Sequence, residues 1–340
     1  MKKLKGVIEM TVHTDFHKDT WELYKSLEMA KQLTTGETLA RLGDEHPEIV
    51  ALCADLGKPT RIYEFGKKFP DRFFNFGIAE KNMVTAAAGL ASTGKIPFVS
   101  TYASFLGILA AENIRTAVAY PNLNVRLVGT HTGIAMGFYG SSHHATEDIA
   151  ITRSMANMTV ISPADGTALA EMIEESVKTY QGPIYFRVSR GREEPVYGTD
   201  GVKVKNKIGK ANVLRQGTDL TIIACGIEVN EALKAADKLA DYGISASVID
   251  MHTIKPLDIN CVLDASKNTG AILTVEEHNI VGGLGSAVAE VLMESGVQCK
   301  FKRHGIYDQY SIIGKPYYLY QHYQLDGDGI ASVAKKFLEK

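Results

Sequence analysis

The sequence predicts an α/β protein of two three-layer α/β/α domains with mainly parallel sheets, and three observations carry this prediction. Its 340 residues correspond to two or three domains of about 100–200 residues each. Short β-branched runs alternate with longer stretches of helical spacing, which is typical of strands joined by crossover helices. The alternation stops near residues 190–210 and then resumes, so the chain divides into two units.

The first unit is predicted over residues 29–195, after an N-terminal extension of residues 1–28 that lacks sustained periodicity. Its clearest strands are expected at 125–128, 159–161 and 184–188. A helix should begin after Asp165, a favourable N-cap residue. Four apolar residues then share one helical face: Leu169, Met172, Ile173 and Val177. These elements predict a parallel sheet covered on both faces.

The second unit is predicted over residues 211–340, after a linker of residues 196–210 that is rich in glycine and lysine. Its strands are expected at 220–224, 247–250 and 271–275. A helix over residues 228–240 should turn Leu233, Ala236 and Leu239 inward. We therefore expect a second, smaller α/β domain.

Composition and charge exclude several classes of protein. The 37 basic and 39 acidic residues give a formal charge of −2, which indicates no nucleic-acid partner. No apolar run approaches the ~18 residues of a membrane span, and Gly6 and Glu9 interrupt the first ten residues, so no signal peptide is indicated. We expect a cytoplasmic protein that binds no membrane. The four cysteines lie far apart, which predicts reduced, mostly buried thiols: Cys53, Cys225, Cys261 and Cys299.

A carboxylate begins a predicted helix of small residues. Glu80 precedes a run of Ala and Gly, where other groups can pack close to the helix. Taken alone, Glu80 is most simply a surface residue that compensates the helix dipole. The functional alternative is a buried glutamate with a raised pKa that holds or shares a proton.

Farther along the chain, apolar residues stand at three positions that are spaced three residues apart. Tyr102, Phe105 and Ile108 would form a stripe if this segment were helical. Such a stripe is more often core than a platform for a flat ligand, and both interpretations stay open here.

Histidines and glycines cluster in the loop after a predicted strand. His131, His143 and His144 lie among several glycines, where sheets of this type bind ligands. No carboxylate or Cys stands at an obvious ligand spacing, so we assign no metal site to this chain.

Two glycine-rich motifs suggest binding sites that their context does not support. The segment Gly282-Gly283-Leu284-Gly285 lacks the complete spacing of a dinucleotide loop, so a tight turn from strand to helix is expected. The triplet Gly327-Asp328-Gly329 stands eleven residues from the last residue and is interpreted as a turn.

Taken in order, these motifs resemble the C-terminal half of transketolase. The resemblance is carried by Asp71 to Glu80, Tyr102 and Phe105, Thr130-His131, Gly140 to His143, Ser162 to Asp165, Val275 to His278 and Gly282 to Gly285. It extends from about residue 29 to the last residue and covers both predicted domains. It implies the pyrimidine-binding domain of a thiamine-diphosphate enzyme followed by the family's C-terminal domain.

The resemblance implies a site for thiamine diphosphate. Glu80 matches the family's catalytic glutamate, which hydrogen-bonds the aminopyrimidine ring nitrogen and must be buried to share that proton. Tyr102 and Phe105 match the aromatic residues that enclose the pyrimidine. The implied cofactor-binding set is completed by Asp55, Ile78 and Ile108.

The resemblance also implies how substrate is bound. His131 and His143 match substrate-facing histidines that we expect to take part in catalysis. Arg190 matches an arginine that grips the terminal phosphate of the sugar.

Two departures from the family concern the substrate. Gln32 stands where members carry a phosphate-binding arginine, so a sulfonated or otherwise unusual anionic sugar becomes a candidate alongside a sugar phosphate. Phe138-Tyr139 replaces an acidic pair that reads the donor's hydroxyl groups. The hydroxyl of Tyr139 could still hydrogen-bond a substrate hydroxyl.

The family's diphosphate-binding half has no counterpart in this sequence. Its G-D-G motif and downstream Asn hold Mg²⁺ or Ca²⁺, and the terminal G-D-G triplet here is followed by too few residues to serve. The chain is therefore expected to be one subunit of a split transketolase, with the metal bound through an N-terminal partner. By resemblance, two copies of each chain would assemble as a heterotetramer.

The predicted function is transfer of a two-carbon ketol unit from a ketose to an aldose, by a complex in which this chain is active only with its partner. One alternative is the beta-type subunit of another thiamine-diphosphate enzyme, a 2-oxo acid dehydrogenase or a deoxyxylulose-phosphate synthase. Another is a non-catalytic module of the same fold. His131 and His143 favour sugar handling over the first alternative, and retention of Glu80 with the aromatic pair disfavours the second.

Overall fold

The computed structural model describes residues 34–190, 194–197 and 205–339. Within them the chain forms two α/β units with mainly parallel sheets, as the sequence predicted. The predicted N-terminal extension and Gln32 lie outside the described residues, as do residues 198–204 of the predicted linker. None of the described helices has the length and apolar character needed to cross a bilayer.

The first unit alternates strands and helices. In chain order these are α1 (Thr35–Leu42), β1 (Ile49–Cys53), α2 (Tyr63–Lys68), β2 (Phe73–Asn75), α3 (Glu80–Ser92), β3 (Ile96–Tyr102), α4 (Ala111–Asn113), β4 (Arg126–Thr130), α5 (Asp148–Ser154), β5 (Thr159–Ile161), α6 (Gly166–Lys178) and β6 (Ile184–Val188). Two π-helical segments flank α4, at Ser104–Leu109 and Ile114–Ala119. Single 3-10 turns cover Pro70–Arg72 and Gly137–Tyr139.

The sheet of the first unit brings the carboxyl ends of six parallel strands to one edge. Its strands lie in the order β5-β6-β4-β3-β1-β2 and run parallel. In register, Cys53 pairs with Ser100 and Tyr102 with Thr130, so successive strands end side by side. A short strand from the second half of the chain, β10 (Thr253–Lys255), adds antiparallel to β5. The first sheet therefore includes residues beyond the predicted domain boundary.

The second unit repeats the pattern on a smaller sheet. Its remaining elements are β7 (Asn212–Arg215), β8 (Leu220–Ala224), α7 (Glu228–Asp241), β9 (Ala246–Asp250), α8 (Ile259–Thr269), β11 (Ala271–Asn279), α9 (Leu284–Glu294), β12 (Lys300–Ile306), α10 (Pro316–His322) and α11 (Gly327–Leu338). The strand order is β12-β11-β8-β9-β7, and only β7 runs antiparallel to its neighbour.

Local sequence signals explain where the helices begin. The side chain of Asp165 accepts the N–H of Ala168 at 2.9 Å, so the predicted N-cap of α6 is confirmed. The four apolar residues predicted to share a face of α6 are all buried. One apolar cluster runs from the face of the first sheet under α3 to the face of the second sheet under α9, so the two units share a continuous core.

Both glycine-rich motifs have structural roles. The segment at residues 282–285 turns from β11 into α9, as predicted, with Gly282 at φ +80°. Glu276 Oε2 and Oε1 accept the N–H groups of Leu284 and Gly285, so a carboxylate of the chain itself occupies the helix N-terminus where a phosphate would bind in a dinucleotide loop. The prediction that residues 327–329 form a turn is wrong, because Asp326 caps a helix that begins at Gly327.

Candidate functional site

The predicted site residues follow the ends of parallel strands along one edge of the first sheet. Asp55 follows β1, Tyr102 ends β3, His131 follows β4 and Arg190 follows β6. Glu80 begins α3, shortly after β2. Because neighbouring strands end side by side, residues that are far apart in sequence share this edge, which is where sheets of this type bind ligands.

Glu80 is buried at the first turn of α3, with 6% of its surface exposed. The interpretation as an exposed residue that only compensates the helix dipole is therefore wrong. Within the described part of the chain, no group donates a hydrogen bond to its carboxylate. A buried carboxylate without an internal donor is suited to hydrogen-bond a ligand.

The turn before Glu80 is fixed by an asparagine that sequence reasoning did not select. Asn75 Oδ1 accepts the N–H groups of Asp55 and Gly77, each at 3.0 Å, which ties the end of β1 to the turn before α3. Asp55 is exposed with φ +59°. Ile78 is 85% exposed, although it stands two residues from buried Glu80.

Aromatic and histidine rings cluster at the ends of β3 and β4. The ring of Tyr102 lies 4.4 Å from that of His131 and 5.8 Å from that of Phe105, measured between centroids. The ring of His143 lies 5.2 Å from Phe105 and 6.2 Å from Tyr102. Tyr139 completes the cluster at 5.0 Å from His143. The structure thus brings together five residues that the sequence assigned to cofactor and substrate.

The helical stripe predicted for Tyr102, Phe105 and Ile108 is wrong in its geometry. Tyr102 belongs to β3, and Phe105 and Ile108 lie in the π-helical segment that follows. All three are only partly buried, so the interpretation as plain core is also wrong. Leu106, which the sequence analysis passed over, is the core residue of this segment.

The histidines are held by short-range hydrogen bonds. Nδ1 of His131 lies 3.0 Å from the Thr130 hydroxyl, and the residue adopts φ +57°. Nδ1 of His143 lies 2.9 Å from the Ser142 hydroxyl, and burial lowers the pKa of His143. Neighbouring His144 instead lies 3.0 Å from the Gly137 carbonyl through Nε2, which gives it a structural role in the loop. A neutral imidazole at position 143 can donate or accept a proton near neutral pH.

The residues predicted to bind the anionic group and a hydroxyl group of the substrate lie beside or within the same loop. Arg190 Nη1 donates to the Ala135 carbonyl at 3.3 Å, which places its guanidinium beside the loop that carries the histidines. Phe138 and Tyr139 stack at 4.8 Å, and Tyr139 is 48% exposed. An exposed tyrosine stacked on a phenylalanine presents a hydroxyl and an apolar face where the family has an acidic pair.

The buried carboxylate and the aromatic pair suit an aminopyrimidine ring. A carboxylate can hydrogen-bond a ring nitrogen, and the faces of Tyr102 and Phe105 can contact a flat heterocycle. Helix α3, which begins at Glu80, packs against both β3 and the π-helical segment with Phe105. In residues 34–190, 194–197 and 205–339, no three His, Cys, Asp or Glu side chains converge to hold a metal ion.

Sequence reasoning missed a buried ionic group next to the loop that carries His131 and His143. Arg187 Nε lies 3.1 Å from both carboxylate oxygens of Asp148, and the Tyr185 hydroxyl donates to Asp148 at 2.9 Å. Arg187 Nη1 lies 3.9 Å from Glu277 Oε2. Burial disfavours the charge of Arg187, but the two carboxylates outweigh it and raise its pKa. The signal available was an arginine in the middle of the apolar strand Ile184–Val188.

Models of two family domains match this chain. The transketolase pyrimidine-binding domain matches residues 28–194, and the transketolase C-terminal domain matches residues 209–330. Together they cover most of the sequence, in the order that the motifs implied.

Whole-chain comparisons agree with these matches. The chain is 46% identical over 305 residues to a putative transketolase C-terminal section from Methanocaldococcus jannaschii, covering 90% of this chain and 94% of that protein. It is 37% identical over 304 residues to a 6-deoxy-6-sulfo-D-fructose transketolase subunit from a Clostridium species, covering 89% and 93%. A solved structure described as "split gene transketolase, inactive beta4 tetramer" has a TM-score of 0.80 at 40% identity, covering 90% of this chain and 97% of that one.

Proposed function

The chain belongs to the transketolase family, and on this premise we propose that it is the C-terminal subunit of a heteromeric transketolase. With its partner it transfers a two-carbon ketol unit from a ketose to an aldose. The observation that carries the proposal is the cluster in which Tyr102 and Phe105 meet His131 and His143 beside the helix that begins at buried Glu80.

One part of this edge holds the aminopyrimidine of thiamine diphosphate. Glu80 hydrogen-bonds the ring nitrogen, while Tyr102 and Phe105 contact the ring and exclude water from it. Ile78, Ile108 and Asp55 border the same site. When bound there, thiamine diphosphate would supply the nucleophilic carbon chemistry needed for transfer of the ketol unit.

The neighbouring part handles the sugar. His131 and His143 face the carbon atoms that react and move protons to and from their hydroxyl groups, for which a neutral imidazole is suited. Arg190 pairs with the anionic end of the sugar, and Tyr139 hydrogen-bonds a hydroxyl along it.

The diphosphate and its metal, Mg²⁺ or Ca²⁺, are held by a separate N-terminal subunit in an assembly of two copies of each chain. Two features support this division. Ile78 and Phe74 are exposed close to buried Glu80, as apolar residues are before a partner covers them. In addition, the similar split gene transketolase of known structure is described as an inactive beta4 tetramer.

The substrate class is an anionic sugar with either a phosphate or a sulfonate. The sulfonate is supported by the similar Clostridium protein, which is named for a sulfonated fructose. Because Phe138 and Tyr139 form an aromatic pair, we expect this site to recognise the hydroxyl groups of its substrate differently from ordinary sugar-phosphate transketolases.

Reconstitution tests the proposal. The chain is mixed with an N-terminal transketolase subunit that carries the diphosphate-binding domain, thiamine diphosphate and Mg²⁺, and is supplied with phosphorylated and sulfonated ketoses plus an aldose acceptor. We expect transfer by the complex and none by either chain alone. Turnover of pyruvate without ketol transfer would favour the 2-oxo acid or deoxyxylulose-phosphate alternative. Absence of cofactor binding by the pair would favour a non-catalytic module.

A further inference from the structure

The loop that carries the substrate-facing residues is closed by a single backbone pair. Gly133 N–H donates to the Ala145 carbonyl at 3.0 Å, and Ala145 N–H donates back to Gly133 at 2.9 Å. The residues between them include Tyr139 and His143, and His131 stands just outside the pair. We call residues 131–145 the histidine loop.

Glu277 of the second unit contacts one side of this pair. Its Oε1 accepts the N–H of Ile134 at 2.9 Å, and the Tyr320 hydroxyl donates to the same oxygen. A Cβ atom at Gly133 would lie 2.0 Å from the carboxyl carbon of Glu277, so carboxylate and loop backbone are in direct contact. The side chain is 1% exposed.

Arg187 contacts the other side of the pair and links it to the same residue. Its Nη2 donates to the Ala145 carbonyl at 3.2 Å and to the Glu277 carbonyl at 2.8 Å. The loop is therefore held jointly by Glu277 of β11 in the second unit and by Arg187 of β6 in the first unit.

We propose that Glu277 is a positioning residue, which fixes the histidine loop so that His131 and His143 stand against Tyr102 and Phe105. It acts through the backbone of Ile134 and Gly133 and touches neither cofactor nor sugar. The effect of Glu277 on kinetics rests on the proposed function, whereas its restraint of the loop backbone does not. The C-terminal unit thereby contributes to substrate handling as well as to the fold.

The strand itself offers a matched control. Glu276 precedes Glu277, is equally buried, and accepts two backbone N–H groups, but those belong to Leu284 and Gly285 at the start of α9. Substituting either glutamate removes a buried carboxylate that holds backbone. Of these two glutamates, Glu277 is the one that bonds the backbone of the histidine loop.

Amide hydrogen exchange measures directly how strongly Glu277 restrains the histidine loop. In Glu277→Ala, peptides from residues 131–145 should exchange about tenfold faster than in the wild-type chain, because Ile134 loses its acceptor. In Glu276→Ala, the acceleration should appear at residues 282–288 and leave the loop unchanged. Equal loop exchange in the two variants would overturn the proposal.

Kinetics of the reconstituted complex separate positioning from general damage. Glu277→Ala should lower kcat/KM for the ketose donor by about tenfold to a hundredfold, because misplaced groups lose rate steeply, with thiamine-diphosphate affinity within about twofold of wild type. Glu277→Gln should recover most of this loss, since its carbonyl oxygen can accept the N–H of Ile134. Unchanged kcat/KM with a loosened loop, or an equal fall in cofactor affinity, would contradict positioning.

A milder variant covers the case in which Glu277→Ala does not fold. Tyr320→Phe removes the hydroxyl donor to Oε1 while keeping the ring, and should accelerate loop exchange by about threefold without affecting residues 282–288. An unchanged loop in this variant would then overturn the proposal. If the wild-type complex transfers no ketol unit, the proposed function fails, and the exchange results still decide whether Glu277 holds the loop.

Discussion

The two sheets share an architecture, but their carboxyl edges meet different surroundings. The edge of the first sheet carries Tyr102 and Phe105, which are partly exposed, and Ile78, which is 85% exposed. The edge of the second sheet faces the first unit, and there Glu228 and Asp250 are fully buried. One edge is open to ligands and partners, whereas the other is filled by protein.

The buried edge carries polar groups at a cost in stability. Burial, and next the proximity of Glu277, raise the pKa of Glu228 well above its usual range. Among the described residues, neither of its carboxylate oxygens has a hydrogen-bond partner. Burial raises the pKa of Asp250 to about 7, and the Tyr197 hydroxyl donates to it at 2.6 Å.

The difference shows that fold alone does not locate a site. Parallel α/β sheets bind ligands at their carboxyl edges, and by that rule both sheets qualify. The first edge is accessible, whereas the second is covered where Glu277 of β11 contacts the histidine loop and Arg187 of β6. Substitutions at the open edge should therefore change activity, and those at the buried edge should mainly change stability, except at Glu277, which also contacts the histidine loop.

The largest expected effect lies at the open edge. Glu80→Gln should lower ketol transfer by the reconstituted complex about a thousandfold, because an amide cannot exchange a proton with the ring nitrogen as a carboxylate can. Its free energy of unfolding should stay close to wild type, as measured by urea denaturation. Glu112→Gln, an exposed neighbour on α4, is the control. Activity of Glu80→Gln near that of Glu112→Gln would remove Glu80 from the cofactor site.

The largest effect on stability should come from Arg187 of β6, whose guanidinium faces Glu277 of the buried edge. Arg187→Met leaves Asp148 and Glu277 buried without their counter-charge, and should lower the free energy of unfolding by about 3–5 kcal/mol.

Arg41→Met serves as the exposed control for this substitution. Arg41 bonds Glu174 at 2.8 Å on the surface, so its loss should cost less than about 1 kcal/mol. Similar urea midpoints for the two variants would show that the buried network contributes no more than a surface pair.

A stabilising substitution is expected at Glu228. Glu228→Met removes a buried carboxyl group without hydrogen bonds and should raise the free energy of unfolding by about 1–3 kcal/mol at pH 7. Because the folded chain keeps a proton that the unfolded chain releases above about pH 4.5, wild-type stability contributed by this group falls as pH rises. The advantage of the variant should therefore grow from pH 5 to pH 8.

Glu231→Met on the same helix should have the opposite sign. Glu231 accepts the N–H of Gly327 at 2.8 Å and pairs with Lys234, so its loss removes contacts. Denaturation at both pH values compares the two variants. A Glu228→Met chain less stable than wild type at pH 8 would mean that the carboxylate is better satisfied than its surroundings indicate.

Strong local signals were sufficient for much of the fold. The strands predicted at 159–161, 184–188 and 220–224 have these bounds in the structure, because β-branched runs bounded by turn residues admit few alternatives. Strand β11 extends to Asn279 rather than ending at 275, since its last residues are polar and pair with the first unit. Their burial depends on a contact that no local pattern encodes.

The sequence by itself determined the alternation of strands and helices, the family, and the residue types available for cofactor and sugar. Short-range patterns and motif order suffice for these because they depend on neighbours along the chain. The tertiary structure alone decided that Tyr102 ends a strand rather than a helical stripe, and that Glu80 is buried. It also decided which sheet edge stays open, since burial depends on contacts between residues more than a hundred positions apart, such as Ile134 and Glu277.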